Sequence, residues 1–303
     1  MPRIERILCP VDFSETSRHA IEHAGAIAGW YGARLNVLHV YSPIFMPVPG
    51  LPAPTNRVPD VERQRVHDEA EAFVRASGIA DVDLDVCVAI GQPVAVVLER
   101  AATLATDLIV MGTHGASGFE HLILGSVAEK VLRRAPCPVL TVPPRAHATA
   151  RLPFRRILCA VDFSEWSTAA VELASSLARE SSADLELLHV VEWPWEEPPA
   201  PAFSELPAEQ ASALLEFRRY LVTGATRRLE SLVSDAVRDR CSVTVQVVHG
   251  KPYVQLLRVA AETGADLIVL GVHGRNSIDR ALFGSTTDQV VRRATCAVLT
   301  VRK

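Results

Sequence analysis

The chain has 303 residues, of which 49% are hydrophobic and 22% charged, with a net charge of −4. The length suffices for two domains with real cores, and the composition is that of an ordinary globular protein. The mild acidity, spread along the chain, excludes a dedicated nucleic-acid binder, which would carry a basic patch.

In chain order, residues 7–11 read as a buried strand. Ser14 can cap the helix that follows, whose stripe of Ala20, Ala24, Ile27 and Ala28 has helical spacing. Residues 35–40 read as a second strand and 43–59 as a proline-rich loop. A polar, surface-facing helix is predicted over 61–76 and a third strand over 82–88. Pro93 suits a first helical turn and opens a helix ending near Leu104. Residues 108–111 and 139–142 form the fourth and fifth strands, with a helix over 127–134 between them. Strands alternating with helices of this length imply right-handed crossovers and a parallel sheet.

The whole pattern is then written again. The run from Ile7 to Glu15 matches Ile157 to Glu165, and Leu35 to Val40 matches Leu185 to Val190, both at an offset of 150. From Gly91 and Gly250 onward the offset is 159, so the second copy carries nine extra residues between Val190 and Gly250. The expected division is a first domain over 1–143, a linker over 144–153 and a second domain over 154–303. The six cysteines show no C-x-x-C spacing and read as buried free thiols of a reducing cytoplasm. The opening residues read as neither a signal nor a transit peptide, and no apolar run is long enough to span a bilayer.

The most informative repeat is a glycine pattern. Gly112-Thr-His-Gly115, nine residues and Gly125-Ser126 recur as Gly271-Val-His-Gly274, nine residues and Gly284-Ser285. Each copy follows an apolar strand and precedes a helix, an order that aims backbone N–H groups at a phosphate. It is neither a Walker A loop nor G-x-G-x-x-G. Alternatives stand beside this reading. Ser126 with Glu129, and Ser285 with Asp288, also fit a capping box without any ligand. Asp12 and Asp162, at the carboxyl ends of the first strands, suit a polar contact to a base or ribose, or else cap the next helix. His114 and His273 read as loop-structuring residues, His39 and His189 as satisfied near-core histidines. Arg133-Arg134 and Arg292-Arg293 end helices where cations suit the dipole.

Gly-x2-Gly-x9-Gly-Ser, together with Val-Asp-Phe-Ser-Glu after the first strand, resembles the universal stress protein family over nearly the whole chain. The resemblance implies two tandem Rossmann-like α/β domains of the adenine-nucleotide-binding type, each with a five-stranded parallel sheet flanked by helices. It further implies the ATP-binding branch of the family, with ATP and Mg²⁺ as cofactors, one ATP site per domain, and a cytoplasmic stress-response role. Asp12 and the Val40 backbone would meet the adenine and ribose. Gly112, Gly115, Gly125, Ser126 and Val127 would hold the phosphates. Asp162, Val190, Gly271, Gly274, Gly284, Ser285 and Thr286 would do likewise in the second copy. Val127 is replaced by Thr286, so the two sites can differ in affinity. Pairing through the last strand is implied within one chain, between 139–142 and 298–301. A homodimer of the tandem chain and a regulatory protein partner are implied too, with no nucleic acid and no membrane.

Two other functions compete. A slow ATPase would need an arranged nucleophile or general base, and the sequence shows none, nor a dedicated metal cluster. A scaffold with vestigial sites is opposed by two intact glycine loops. The segments 43–59 and 194–207, the second acidic with Trp193 and Trp195 at its start, read as partner surfaces or as ordinary solvated loops.

Overall fold

The computed structural model describes residues 3–42, 59–114, 124–144, 152, 154–192, 208–274 and 283–302. The proline-rich segments 43–58 and 193–207, most of the expected linker, and Gly115 lie outside the described residues. The chain divides into two compact units. One comprises residues 2–153 with 294–302, the other residues 154–293.

In the first unit the elements run β1 (Arg6–Val11), α1 (Glu15–Tyr31), β2 (Arg34–Tyr41), α2 (Asp60–Ala76), β3 (Leu84–Ile90), α3 (Pro93–Thr103), β4 (Leu108–Gly112), α4 (Ser126–Arg134) and β5 (Val139–Val142). The strand order is β3-β2-β1-β4-β5, and every pair is parallel. Ile7, Leu8, Cys9, Ile109 and Val110 are fully buried, as expected of parallel strands covered on both faces. The third strand starts two residues later than the sequence suggests. Asp81 takes a positive φ of 59°, and strand pairing begins at Leu35 with Leu84. The turn and the neighbouring strand, not local β propensity, set that boundary.

The same unit takes the last strand of the chain, β10 (Ala297–Val301), antiparallel to β5. Leu299 faces Leu140, and the flanking threonines bridge the two strands. The Thr141 hydroxyl donates to the Val298 carbonyl at 3.1 Å, and the Thr300 hydroxyl to the Val139 carbonyl at 3.2 Å. Both strands are buried throughout, which an apolar edge strand in water could not be. Arg302 follows and donates to the carbonyls of Leu132 and Arg133, closing the C-terminus of α4.

The second unit repeats the order as β6 (Arg156–Ala160), α5 (Glu165–Ser181), β7 (Asp184–Val191), α6 (Ala208–Ser231), α7 (Asp235–Arg238), β8 (Val243–His249), α8 (Pro252–Thr263), β9 (Leu267–Gly271) and α9 (Ser285–Arg293). Its strands run β9-β6-β7-β8, all parallel. The extra residues of this copy lie in α6, which has 24 residues against 17 in α2, and in the added turn α7. Asp107 and Asp266, just before β4 and β9, each hold two backbone N–H groups at the start of the unit's first strand, those of Glu5 and Arg6 or of Arg155 and Arg156. All six cysteines are free thiols, and burial pushes the Cys137 thiol up to about 12. Among the described residues no helix is long and apolar enough to cross a membrane.

The repeat supplies its own control for a helix end. α1 closes on Gly32 at φ 62°, and α5 closes at the matching place on Ser182 at φ 55°. The left-handed region costs a residue with a Cβ about 1 kcal/mol, and glycine's extra chain entropy offsets only part of that. Ser182→Gly is therefore expected to stabilise the protein by about 0.5 kcal/mol in urea unfolding. A loss of stability would contradict the cap geometry.

Candidate functional site

The strand order reverses between β1 and β4 in the first unit and between β6 and β9 in the second, and ligands of open α/β sheets bind beyond such points. Asp12 follows β1. Its Oδ1 accepts from the Ser14 N–H at 3.2 Å, the Ser14 hydroxyl at 2.6 Å and the Ser17 hydroxyl. Ser14 in turn caps α1 through the Ser17 N–H at 3.2 Å. In the second copy Asp162 Oδ1 accepts from the Ser164 N–H at 3.0 Å, and Ser164 caps α5. Each aspartate thus shapes the turn into its helix, while the cap itself is the serine two residues on.

Between aspartate and serine lie Phe13 and Phe163, both in the left-handed region with φ of 63° and 64°. Strained backbone of this kind persists only where its surroundings hold it. Here the holding groups are rings. Phe13 stacks on His39 with centroids 4.1 Å apart, and Phe163 lies 4.6 Å from His189. The histidines are tethered by Nδ1 to the carbonyls of Val11, at 3.0 Å, and Val161, at 2.6 Å. They are satisfied, as the sequence suggested, but they also floor the site. Burial holds the His39 imidazole below its ordinary range, against the pull of Glu69 and Asp12.

The glycines divide by role. A Cβ on Gly112 would stand 3.0 Å from Thr16 Cβ and 3.2 Å from the Thr16 backbone. One on Gly271 would stand 2.8 Å from Trp166 Cβ and 3.0 Å from its backbone carbon. These two glycines let the first turn of α1 or α5 close on the strand end. A Cβ on Gly284 would meet the Val272 carbonyl at 2.9 Å, the same group to which the Gly284 N–H donates at 3.0 Å. Gly125 makes the matching bond to the Thr113 carbonyl at 2.8 Å. Gly274 differs, since among the described residues its Cβ would meet only the side-chain Oδ2 of Asp162, at 2.9 Å. His114 bonds the Thr113 hydroxyl at 2.8 Å, and buried His273 packs edge-on to Trp166 at 5.1 Å, both loop-organising arrangements.

The capping-box alternative for the serines does not form. The N-cap of α4 is Gly125, which offers no side-chain cap, and Ser126 is already the first helical residue. Glu129 pairs with Arg133 at 3.2 Å and Asp288 with Arg292 at 3.0 Å. The first N–H groups of α4 and α9 lie at the strand ends, a place that suits an anion.

In the second unit these parts meet in one cleft of about 1180 Å³. Asp162, Val190, Gly271, Gly274, Gly284, Ser285 and Thr286, the full expected set for that copy, line it together. His189, Phe163, Glu192 and Arg219, Arg227 and Arg228 of α6 complete the wall. In the first unit Asp12, Val40, Gly112, Gly125, Ser126 and Val127 stand at the matching element ends, while Gly115 is outside the described residues. Among the described residues no group of three or more His, Cys, Asp or Glu side chains could hold a metal ion. Sequence reasoning missed the phenylalanines and the α6 arginines. The first were visible in the repeated Val-Asp-Phe-Ser-Glu. The second lie in the stretch with extra residues, where the repeat offers no guide.

The model of the universal stress protein family matches residues 3–143 and again 153–302. The chain belongs to the universal stress protein family. It is 27% identical to a universal stress protein of Mycolicibacterium smegmatis over 98% of this chain and 96% of that one. A single-length universal stress protein of Thermus aquaticus is 37% identical over 139 residues, which is 45% of this chain and 96% of that protein. In fold, the chain resembles a universal stress protein from Archaeoglobus fulgidus with a TM-score of 0.64, 24% identity and 98% of each chain covered. The tandem organisation read from the glycine repeat is thus a property shared with relatives of full length.

Proposed function

We propose that this universal stress protein is a cytoplasmic ATP-binding regulator with one nucleotide site per repeat. The observation that carries the reading is the second-unit cleft, where the seven expected residues converge on one volume. That volume exceeds what a nucleotide needs, since ordinary small-molecule pockets run to about 1000 Å³. The donors fit the ligand. First-turn N–H groups of α9 and the hydroxyls of Ser285 and Thr286 suit phosphate oxygens. Asp162, beside Val190 at the strand ends, suits ribose hydroxyls or base N–H groups. Gly274 leaves open the space that a Cβ would take from Asp162. The nucleotide would supply a charged tail whose length the protein can sense, and Mg²⁺ would arrive on the phosphates. The first repeat would use Asp12, Val40, Gly112, Gly115, Gly125, Ser126 and Val127 in the same way. A regulatory partner and a homodimer of the tandem chain belong to the same proposal.

The test is to heat-denature purified protein and identify released nucleotide by chromatography with mass detection. ATP at about two per chain is the expected result for two filled sites. ADP or AMP would favour hydrolysis. No nucleotide, followed by no heat on titrating Mg·ATP, would leave the glycine pattern a packing device only.

A further inference from the structure

Resting on the nucleotide reading, we infer that the two sites differ in kind: the second repeat's cleft reads phosphate charge through arginines of α6, and the first does not. Helices α2 and α6 hold the same place in the repeat, and packing sets their register. Phe73 of α2 lies 5.4 Å from Phe13, while the Arg228 guanidinium lies 3.8 Å from the Phe163 ring. With Phe73 matched to Arg228, the buried residues Ala70 and Val74 fall on the buried residues Ala225 and Leu229. The same register sets Glu69 against Gly224, Ala72 against Arg227 and Gln64 against Arg219.

The matched positions therefore differ in charge, with three arginines on α6 where α2 carries Gln64, Ala72 and Phe73. In the first repeat Glu62 accepts the Tyr41 hydroxyl at 3.2 Å, and Glu69 acts on His39 beside Asp12. Arg65 is engaged by Glu62 at 2.7 Å and Glu69 at 3.5 Å, and the Arg18 guanidinium of α1 lies 5.4 Å from the Phe73 ring. In the second repeat Arg219, Arg227 and Arg228 line the cleft, and among the described residues none of the three pairs with a carboxylate. Among the described residues the carboxylates lining the cleft are Asp162 and Glu192. Unpaired guanidinium groups beside a helix N-terminus make strong, bidentate phosphate contacts, and each phosphate lost from the tail removes some of them. Carboxylates at the first site repel the same tail. The second site should hence favour ATP over ADP over AMP steeply, and the first should discriminate little.

Calorimetric titration of the full chain with ATP, ADP and AMP, at low and high salt, tests this. Gly274→Val silences the second site, so its difference from the wild type isolates that site. The second site is expected to prefer ATP to AMP by at least about tenfold, with a preference that shrinks at high salt. Arg219→Gln with Arg227→Gln and Arg228→Gln should weaken ATP there by about tenfold while changing AMP much less. The three side chains are exposed, so the fold should survive, and circular dichroism checks it. Glu62→Gln with Glu69→Gln should strengthen ATP at the first site, a gain that misfolding cannot mimic. Unchanged ATP affinity in the arginine variant, or equal ATP and AMP affinity at the second site, overturns the inference but leaves nucleotide binding intact. No binding of any nucleotide by the wild type overturns both.

Discussion

Gly274→Val is expected to empty the second nucleotide site while leaving the protein folded, cutting bound ATP from about two per chain to about one. Gly274 has no positive φ, so valine meets no backbone strain. The atom that its Cβ would crowd, at 2.9 Å, is the tip of a side chain, Asp162 Oδ2. That carboxylate can shift more readily than backbone, though its Oδ1 also accepts from the Ser164 N–H. Once displaced, it leaves the position facing the cleft while the valine methyls fill the space it bordered. A loss of at least about a hundredfold in affinity at that site follows from removing the contact and blocking the volume together. Gly271→Ala is the contrast. Its Cβ would run into the α5 backbone at Trp166, which cannot move without the helix, so overpacking should lower stability by about 1–3 kcal/mol. Released-nucleotide stoichiometry and urea unfolding, measured on both variants, separate the roles. Full occupancy in Gly274→Val would remove that residue from the site.

Stability is expected to fall on acidification because of His23. The side chain is buried in α1, with Nδ1 against the His19 carbonyl at 2.8 Å, and burial pushes the imidazole down to about 4. An unfolded histidine titrates near pH 6.5. The folded state therefore binds fewer protons between those values. The stabilisation is complete above about pH 6.5 and is lost as pH falls towards 4, by about 3 kcal/mol in all. His23→Gln should remove this part of the pH dependence and flatten urea midpoints measured between pH 7 and pH 4. An unchanged slope in the variant would assign the acid limb to other groups.

Much of this protein was written locally. The alternation of apolar strands and amphipathic helices required a parallel α/β fold, because only crossovers of that length bury both faces of such strands. The exact repetition of Asp-Phe-Ser-Glu and of the glycine spacing marked the two candidate sites, since both fall at carboxyl ends of strands. Chain order could not reveal which glycine was spent on packing. Gly112 and Gly271 answer to helices α1 and α5, which come from far earlier in each repeat. Ser126 looked equally able to cap a helix or hold a phosphate, and the observed start of α4 at that residue removes the N-cap role alone. The opposite charges of α2 and α6 were plain as composition, yet their facing the site depends on helix rotation, which side-chain burial of Ala70, Val74, Ala225 and Leu229 decides. The sequence by itself determined the elements, their repetition and the strand ends at which the candidate sites lie, because these follow from periodicity and backbone chemistry. The family resemblance had already implied that the two last strands pair, and β10 does lie against β5. The tertiary structure alone decided that three arginines line the second cleft, because that depends on which distant surfaces must be buried together, and no local pattern encodes it.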